Sequence, residues 1–360
     1  MFKSIGIVGA GTMGAGIAQV SALAGFNTFL FDVSPSILDQ ARMRIQESVA
    51  HAIQKQKLSS DAMMQLMSYL TLTTALDDLK NSDLIIEAIP EEMALKQDLF
   101  NKLDALCPPK TCFASNTSSL SITTMAHATH RPSQVAGMHF FNPVPQMKLV
   151  EIISTADTST DLSDALYQLA KAMGKIPVHA KDTPGFIVNR VARPFYLEAL
   201  RMLEDGRADI KTIDTAMREA GFKMGPFELM DLIGIDVNYA VTQSVYEAFG
   251  QADRFKPNPL QKQLVDAGHL GRKTGQGFYR YDTTPPIPAI TRPAQSLWTP
   301  SEIVHHIYTM LSKEAASAVK ENVATPQDID TAMKLGTNYP IGPCEWAQIS
   351  PLPRQGEIVL

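Results

Sequence analysis

The chain has 360 residues, 45% of them hydrophobic and 19% charged, which suits a globular protein of two domains with a large core. A formal charge of −5 argues against a nucleic-acid partner, and no apolar run approaches the roughly 20 residues of a membrane span. Cys107, Cys112 and Cys344 make neither a metal-ligand spacing nor an even disulfide set, and a strand candidate beginning at residue 3 leaves no room for a targeting peptide, so the cytoplasm is the expected location.

The first 32 residues are the most informative. The apolar run Ile5 to Val8 leads into Gly9-Ala10-Gly11-Thr12-Met13-Gly14, then a helix-forming stretch, then a second apolar run that ends in Asp32. Gly9 suits a tight turn, Gly11 lets backbone approach a pyrophosphate, and Gly14 lets the helix pack close to the strand. The helix N-terminus, with Thr12 and Met13, offers free N–H groups to the phosphates. Asp32 follows Gly14 by 18 positions, near the spacing of a carboxylate that accepts from adenosine ribose hydroxyls. Its charge would repel a 2′-phosphate, so the expected cofactor is NAD.

An apolar stripe at Ile37, Ala41, Ile45, Val49 and Ile53 predicts a helix over 35–57, and a second helix is expected over 60–70. A strand at 83–88 and a helix at 91–106 follow, then strands at 111–114, 135–139, 148–153 and 176–180. Alternating helices and nearly continuous apolar strands indicate a doubly wound parallel sheet of Rossmann type. From residue 186 the pattern turns helical, over 186–204, 210–220, 226–250 and 258–267. The expected organisation is a dinucleotide-binding domain at 1–184, an all-α domain at 185–282, a proline-rich linker at 283–298 and a partial second copy of the helical domain at 299–350.

That copy is visible as an internal repeat. Glu198-Ala199 and Ile213-Asp214-Thr215-Ala216-Met217 recur as Glu314-Ala315 and Ile329-Asp330-Thr331-Ala332-Met333, at a constant offset of 116. After a one-residue shift Gly225-Pro226-Phe227-Glu228 becomes Gly342-Pro343-Cys344-Glu345, and nothing beyond Glu345 answers to residues 232–282. At the same offset Asn189-Arg190 becomes His305-His306. Adjacent residues on a helix do not face one way, so these histidines are not read as a metal pair and no metal is expected.

His139 ends the 135–139 strand, and ligands of an open parallel sheet sit outside the strands' carboxyl ends. A histidine there can take the proton of an alcohol as its carbon gives up hydride, most effectively when a carboxylate holds the other ring nitrogen. Glu151 on the next strand is the obvious partner.

The glycine-rich fingerprint, Ser115-Asn116-Thr117-Ser118-Ser119-Leu120, the run His139 to Pro145, the strand Lys148 to Ile153 and Lys181 to Arg190 together resemble the 3-hydroxyacyl-CoA dehydrogenase family over residues 3 to about 282. The resemblance implies NAD-dependent, reversible oxidation of an L-3-hydroxyacyl-CoA to the 3-ketoacyl-CoA. It implies His139 as general base, Glu151 as its partner, and Ser118 and Asn189 on the substrate's 3-oxygen and thioester region. Glu91 and Lys96 fall near the ribose and nicotinamide half of the cofactor, with Asn116 lining the same site. Relatives give coenzyme A basic side chains from the helix after the second strand. Here that helix offers Arg42 and Arg44, but Met43 stands where one such lysine would align. Single-copy relatives dimerise through their helical domain, so the expected state is a homodimer or a monomer with an internal pseudo-dimer. A dehydrogenase of a free hydroxy or sugar acid and a non-catalytic dinucleotide-binding protein are the alternatives.

Overall fold

The computed structural model describes residues 2–290 and 298–349, and the chain divides into two compact units, Met1–Thr183 and Pro184–Leu360. No helix among the described residues is long and apolar enough to cross a membrane.

The first unit is built on eight strands: β1 (Ser4–Val8), β2 (Asn27–Phe31), β3 (Leu70–Thr73), β4 (Leu84–Glu87), β5 (Cys112–Ser115), β6 (Val135–Phe140), β7 (Leu149–Ser154) and β8 (Ile176–Lys181). They lie in the order β3-β2-β1-β4-β5-β6-β7-β8, so the order reverses between β1 and β4. That switch point opens a crevice at the carboxyl ends of the strands. Six helices cover the sheet: α1 (Thr12–Leu23), α2 (Pro35–Gln54), α3 (Ala62–Tyr69), α4 (Met93–Leu106), α5 (Ile122–Ala126) and α6 (Thr160–Ala172). Ile17, Ile45, Leu66 and Leu166 of α1, α2, α3 and α6 share one core with Ile5, Ile7 and Ile86 of the strands. Phe100 of α4 meets Phe113 of β5 edge-on at 5.9 Å outside that cluster, on the other face. The sheet is therefore wound on both sides.

Two details differ from the sequence reading. The pairing of β6 with β7 is antiparallel, whereas every other pair is parallel. Residues 141–148 are too few for a parallel crossover, which takes a dozen or more. Second, Leu70–Thr73 forms an edge strand beside β2, where only a helix was expected over 60–70.

The second unit begins with α7 (Val188–Val191) and α8 (Arg193–Glu204), then α9 (Ile210–Glu219), α10 (Pro226–Ile233), α11 (Ile235–Ala248) and α12 (Pro259–Asp266). The helix expected over 186–204 breaks at Ala192, because Pro194 has no N–H for the carbonyl one turn back. The helix expected over 226–250 breaks at Gly234, whose φ of 101° no continuing helix accommodates. The Asp231 carboxylate closes this copy, accepting from Phe278 N, Tyr279 N and the Tyr281 hydroxyl, each at 2.9 Å. The proline-rich segment starts pinned, with Ile287–Pro288 paired antiparallel to Tyr279–Arg280. Its residues 291–297 lie outside the described residues.

The second copy is α13 (Pro300–Lys320), α14 (Pro326–Gly336) and α15 (Pro343–Ile349), and α13 packs on α7, α8 and α9. Both copies use one device to join their helices. Asp214 accepts from Phe227 N at 3.0 Å and Glu228 N at 3.1 Å, and Asp330 accepts from Cys344 N at 2.8 Å and Glu345 N at 3.1 Å. A Cβ on Gly225 would stand 2.2 Å from Asp214, and one on Gly342 2.3 Å from Asp330, so each close approach requires glycine. The contacts between the copies are reciprocal. Arg190 pairs with Glu314 at 2.6 Å and His306 with Glu198 at 2.8 Å, and the offset of 116 maps each pair onto the other. Such reciprocity marks a two-fold, self-complementary interface.

Candidate active site

At the end of β1 the chain turns at Gly9, whose φ is 99° and where a Cβ would lie 2.6 Å from the Ala88 carbonyl oxygen. A Cβ on Gly14 would come within 1.7 Å of Gly9 O, so α1 can sit this close to β1 only with glycine there. Gly11, by contrast, has nothing within 4 Å, and its open side is where a phosphate could approach backbone. The first turn of α1, with exposed Thr12 and half-buried Met13, carries no side-chain cap and no acid. Its N–H groups are thus available to an anion. Asp32, at the end of β2, accepts from Ala10 N at 2.9 Å through one oxygen and from Ser34 N at 3.0 Å through the other. Each carboxylate oxygen keeps acceptor capacity for a ribose hydroxyl. These features fit a dinucleotide.

His139 stands near the end of β6, and the antiparallel register sets it directly opposite Glu151 of β7. The imidazole Nδ1 lies 2.6 Å from Glu151 Oε2; the carboxylate is fully buried and the ring nearly so. The hydrogen bond assigns the Nδ1 proton to the Glu151 side, which makes Nε2 the basic nitrogen of the neutral ring. Phe141 packs on the imidazole with ring centroids 4.5 Å apart. The pairing that departed from the expected parallel sheet is what brings these two side chains together.

Between the glycine turn and His139 lies a buried polar chain. Glu87, wholly buried at the end of β4, accepts from Lys96 Nζ at 2.6 Å, Ile89 N at 2.7 Å and Ser115 Oγ at 2.5 Å. Lys96 is 1% exposed, and its second carboxylate, Glu91, is farther away at 3.3 Å. Glu91 is 38% exposed at its side chain and accepts through Oε1 from Thr117 Oγ1 at 2.6 Å, Ser118 N at 2.9 Å and Ser118 Oγ at 3.1 Å. Burial alone would raise its pKa, but the Thr117 hydroxyl, the Lys96 charge and the Ser118 donors together hold it below the usual carboxylate value. Glu91 thus precedes α4 instead of capping it and is tied to the segment that carries Ser118. Asn116 accepts through Oδ1 from Phe140 N at 2.9 Å, which leaves its NH₂ as the group it can offer a ligand. Glu87 was missed by sequence reasoning; its signal was an acid closing an otherwise apolar strand.

Asn189 belongs to the second unit, on α7. Arg42, Met43 and Arg44 are exposed on α2, and they do not act as one group. Arg44 lines a groove of about 1240 Å³ that Arg42 does not reach, together with His51, Lys55, Lys57 and Lys148, against the single acid Glu47. Lys175 at its edge donates to Val144 O at 2.5 Å and Met147 O at 2.9 Å, and burial pushes its pKa down to about 8. It thereby holds the loop that leaves His139. That loop lies on α1: a Cβ on Gly16 would stand 2.8 Å from Val144 Cβ.

Residues 4–183 match the family description "3-hydroxyacyl-CoA dehydrogenase, NAD binding domain", and residues 185–281 and 303–352 match "3-hydroxyacyl-CoA dehydrogenase, C-terminal domain". The chain is 36% identical to a 3-hydroxyadipyl-CoA dehydrogenase of Escherichia coli K12, over 96% of this chain and 90% of that protein. It is 43% identical to a mitochondrial hydroxyacyl-coenzyme A dehydrogenase of Sus scrofa, over 78% of this chain and 92% of the relative. The crystal structure of a 3-hydroxybutyryl-CoA dehydrogenase from Escherichia coli K12 superposes with a TM-score of 0.91 at 35% identity, covering 97% of this chain and 92% of that one.

Proposed function

Because the chain belongs to the 3-hydroxyacyl-CoA dehydrogenase family, we propose that it catalyses the NAD-dependent, reversible oxidation of an L-3-hydroxyacyl-CoA to the 3-ketoacyl-CoA. The observation that carries this reading is the cross-strand pair of His139 and Glu151 at the carboxyl end of a dinucleotide-type sheet. His139 Nε2 takes the proton of the C3 hydroxyl, and the buried Glu151 carboxylate supplies the counter-charge to the imidazolium. Bound NAD supplies the acceptor for the hydride from C3. In the reverse direction the imidazolium is the acid. Ser118 and Asn189 are assigned to the substrate's 3-oxygen and thioester region.

Gly9, Gly11, Thr12, Met13 and Gly14 would hold the pyrophosphate, Asp32 the adenosine ribose, and Glu91 and Asn116 the other half of the cofactor. Lys96, being buried, serves that half through Glu91. For coenzyme A phosphates the groove lined by Arg44, Lys55, Lys57 and Lys148 is the better fit, and Arg42 is left out of it. A basic groove of this size favours a CoA thioester over a free acid. The three free cysteines support a reducing compartment such as the cytoplasm. The reciprocal packing of the helical copies supports a monomer with an internal pseudo-dimer.

An NADH-consumption assay with acetoacetyl-CoA, free acetoacetate and the N-acetylcysteamine thioester tests the whole reading. Turnover is expected on both thioesters, and His139→Gln should lower kcat by about 10²–10⁴. Lys148→Glu should raise KM for the CoA ester alone. Turnover of acetoacetate only, or a His139→Gln variant as fast as the parent, would overturn it.

A further inference from the structure

The ion pair beneath Glu91 has an electrostatic consequence that the proton-transfer machinery does not use. Three charges lie together at the ends of β4 and the start of α4: Glu87, Lys96 and Glu91. Lys96 stands 2.6 Å from Glu87 and 3.3 Å from Glu91, and both members of the closer pair are buried. Glu87 turns no acceptor to solvent, being wholly buried with Lys96, Ser115 and the Ile89 amide donating to it. The pair is close to neutral as a unit, and the remaining charge of the trio is the anion on half-exposed Glu91.

Where that charge acts follows from the sheet, on the reading that the chain binds NAD. Asp32 at the end of β2 marks the adenosine end of the crevice and the glycine turn of β1 its middle. The half beyond the switch point therefore falls to residues at the ends of β4, β5 and β6, where Glu91, Asn116 and His139 stand. The oxidised nicotinamide ring carries a positive charge, and the reduced ring does not.

We propose that Glu87 sets the charge of this end of the site: by pairing more closely with Lys96 it leaves Glu91 only partly compensated, which biases the site toward the oxidised cofactor. Without Glu87 the lysine would compensate Glu91 instead, and the preference would fall. A role confined to stability would change the affinities for both forms alike.

The test is calorimetric titration of the full-length protein with NAD⁺ and with NADH, comparing the ratio of the two dissociation constants among variants whose folding is checked by circular dichroism. Glu87→Gln is expected to shift the ratio toward NADH by about tenfold or more, the scale of one unit charge within about 12 Å at an effective dielectric of about 20. Glu91→Gln, which keeps an acceptor oxygen for the Thr117 and Ser118 donors, should shift it in the same sense and by a similar factor. The double variant Glu87→Gln/Lys96→Met has the parent's net charge and should return the ratio to the parent value. Ratios that stay within twofold of the parent in both single variants overturn the proposal, as does a double variant that keeps the tenfold shift. If the parent protein binds neither form, the cofactor reading itself fails, which is a separate result.

Discussion

In the first helical copy the segment from Val188 to Glu204 bends at Ala192, whereas in the second the matching segment runs unbroken through α13. The cause is one position: Pro194 in the first copy corresponds to Met310 in the second. The bend accompanies Asn189 in the first copy, and His305 stands in its place in the straight one. The frame around these positions is conserved between the copies down to the Asp214 and Asp330 clamps and their facing glycines. What the second copy has kept is therefore what packs, and what it has lost includes the residue proposed above for the substrate. Its ion pair to the first copy is weaker by composition too. Arg190 is wholly buried and meets both Glu314 and Glu321, while its counterpart His306 is about one-third exposed and has Glu198 as its one carboxylate partner among the described residues.

The largest effect should come from removing the second copy. Ile303, Ile307, Leu311 and Ala315 of α13 are fully buried, and stopping the chain after Asp282 bares the surface of α8 and α9 that covers them. A bared apolar face of that kind is expected to find another copy of itself. Light scattering should then report a dimer, higher oligomers or aggregate in place of the parent mass. An unchanged mass, with solubility and turnover intact, would make the second copy a dispensable appendage.

Next in size is Arg190→Met. Removing one partner of a buried pair typically costs about 3–5 kcal/mol, because the remaining charge stays desolvated. Urea denaturation should place this variant about 3 kcal/mol below the parent, the lower end of that range, since Arg254 also reaches Glu314 at 2.9 Å. A loss below 1 kcal/mol would mean that the two copies are not held together by this pair.

How much of this was legible in the sequence depends on the range of the interaction. The glycine turn and Asp32 lie within one strand–helix–strand unit, and the repeat is a matter of identical residues in order, so both could be read directly. The antiparallel β6–β7 pair was legible in principle, from the eight residues between the strands. Glu87 showed only as an acid ending an apolar strand, which looks solvated until Lys96 and Ser115 are seen to bury it. The basic groove draws on α1, α2 and the segments near residues 146 and 174, and no local pattern joins those stretches. Arg42 and Arg44 likewise look equivalent by composition and are separated only by the turn of the helix. The helix breaks at Ala192 and Gly234 hinge on single residues inside otherwise regular apolar stripes.

A third comparison concerns the clamps. Asp214 accepts from the Tyr279 hydroxyl at 2.8 Å in addition to its two backbone donors, whereas Asp330 has its two backbone donors and no such hydroxyl among the described residues. Burial pushes Asp214 up to about 7 despite all three donors. With a native value raised above the unfolded one, the stability it contributes is fully present below the ordinary carboxylate range and is lost as pH rises through about 7. Tyr279→Phe removes a donor that favours the ionised form, so the native value rises further. The expected loss is about 1–3 kcal/mol, larger at pH 8 than at pH 6, as read by urea denaturation at both. A loss independent of pH would show that the hydroxyl contributes packing rather than a hydrogen bond to a titrating carboxyl.

The smallest effect is expected at the mirror of Arg190. His306 is partly solvated, and Glu198 keeps Arg201 as a second partner, so the histidine is not needed to prevent an orphaned buried charge. Exposed and half-exposed pairs are worth about 0–1 kcal/mol, which bounds the loss expected for His306→Gln. A double-mutant cycle with Glu198→Gln should accordingly give a coupling energy under about 1 kcal/mol. His306→Arg sharpens the comparison, since it rebuilds the first copy's residue at the mirrored position. If the interface is two-fold in its energetics as well as in its pairing, the arginine should gain a few tenths of a kcal/mol to about 1 kcal/mol over the parent in urea denaturation. If it destabilises, the pocket around Glu198 has diverged to fit an imidazole against Trp298, whose ring lies 5.1 Å from that of His306, and the symmetry of the two copies stops at their backbones.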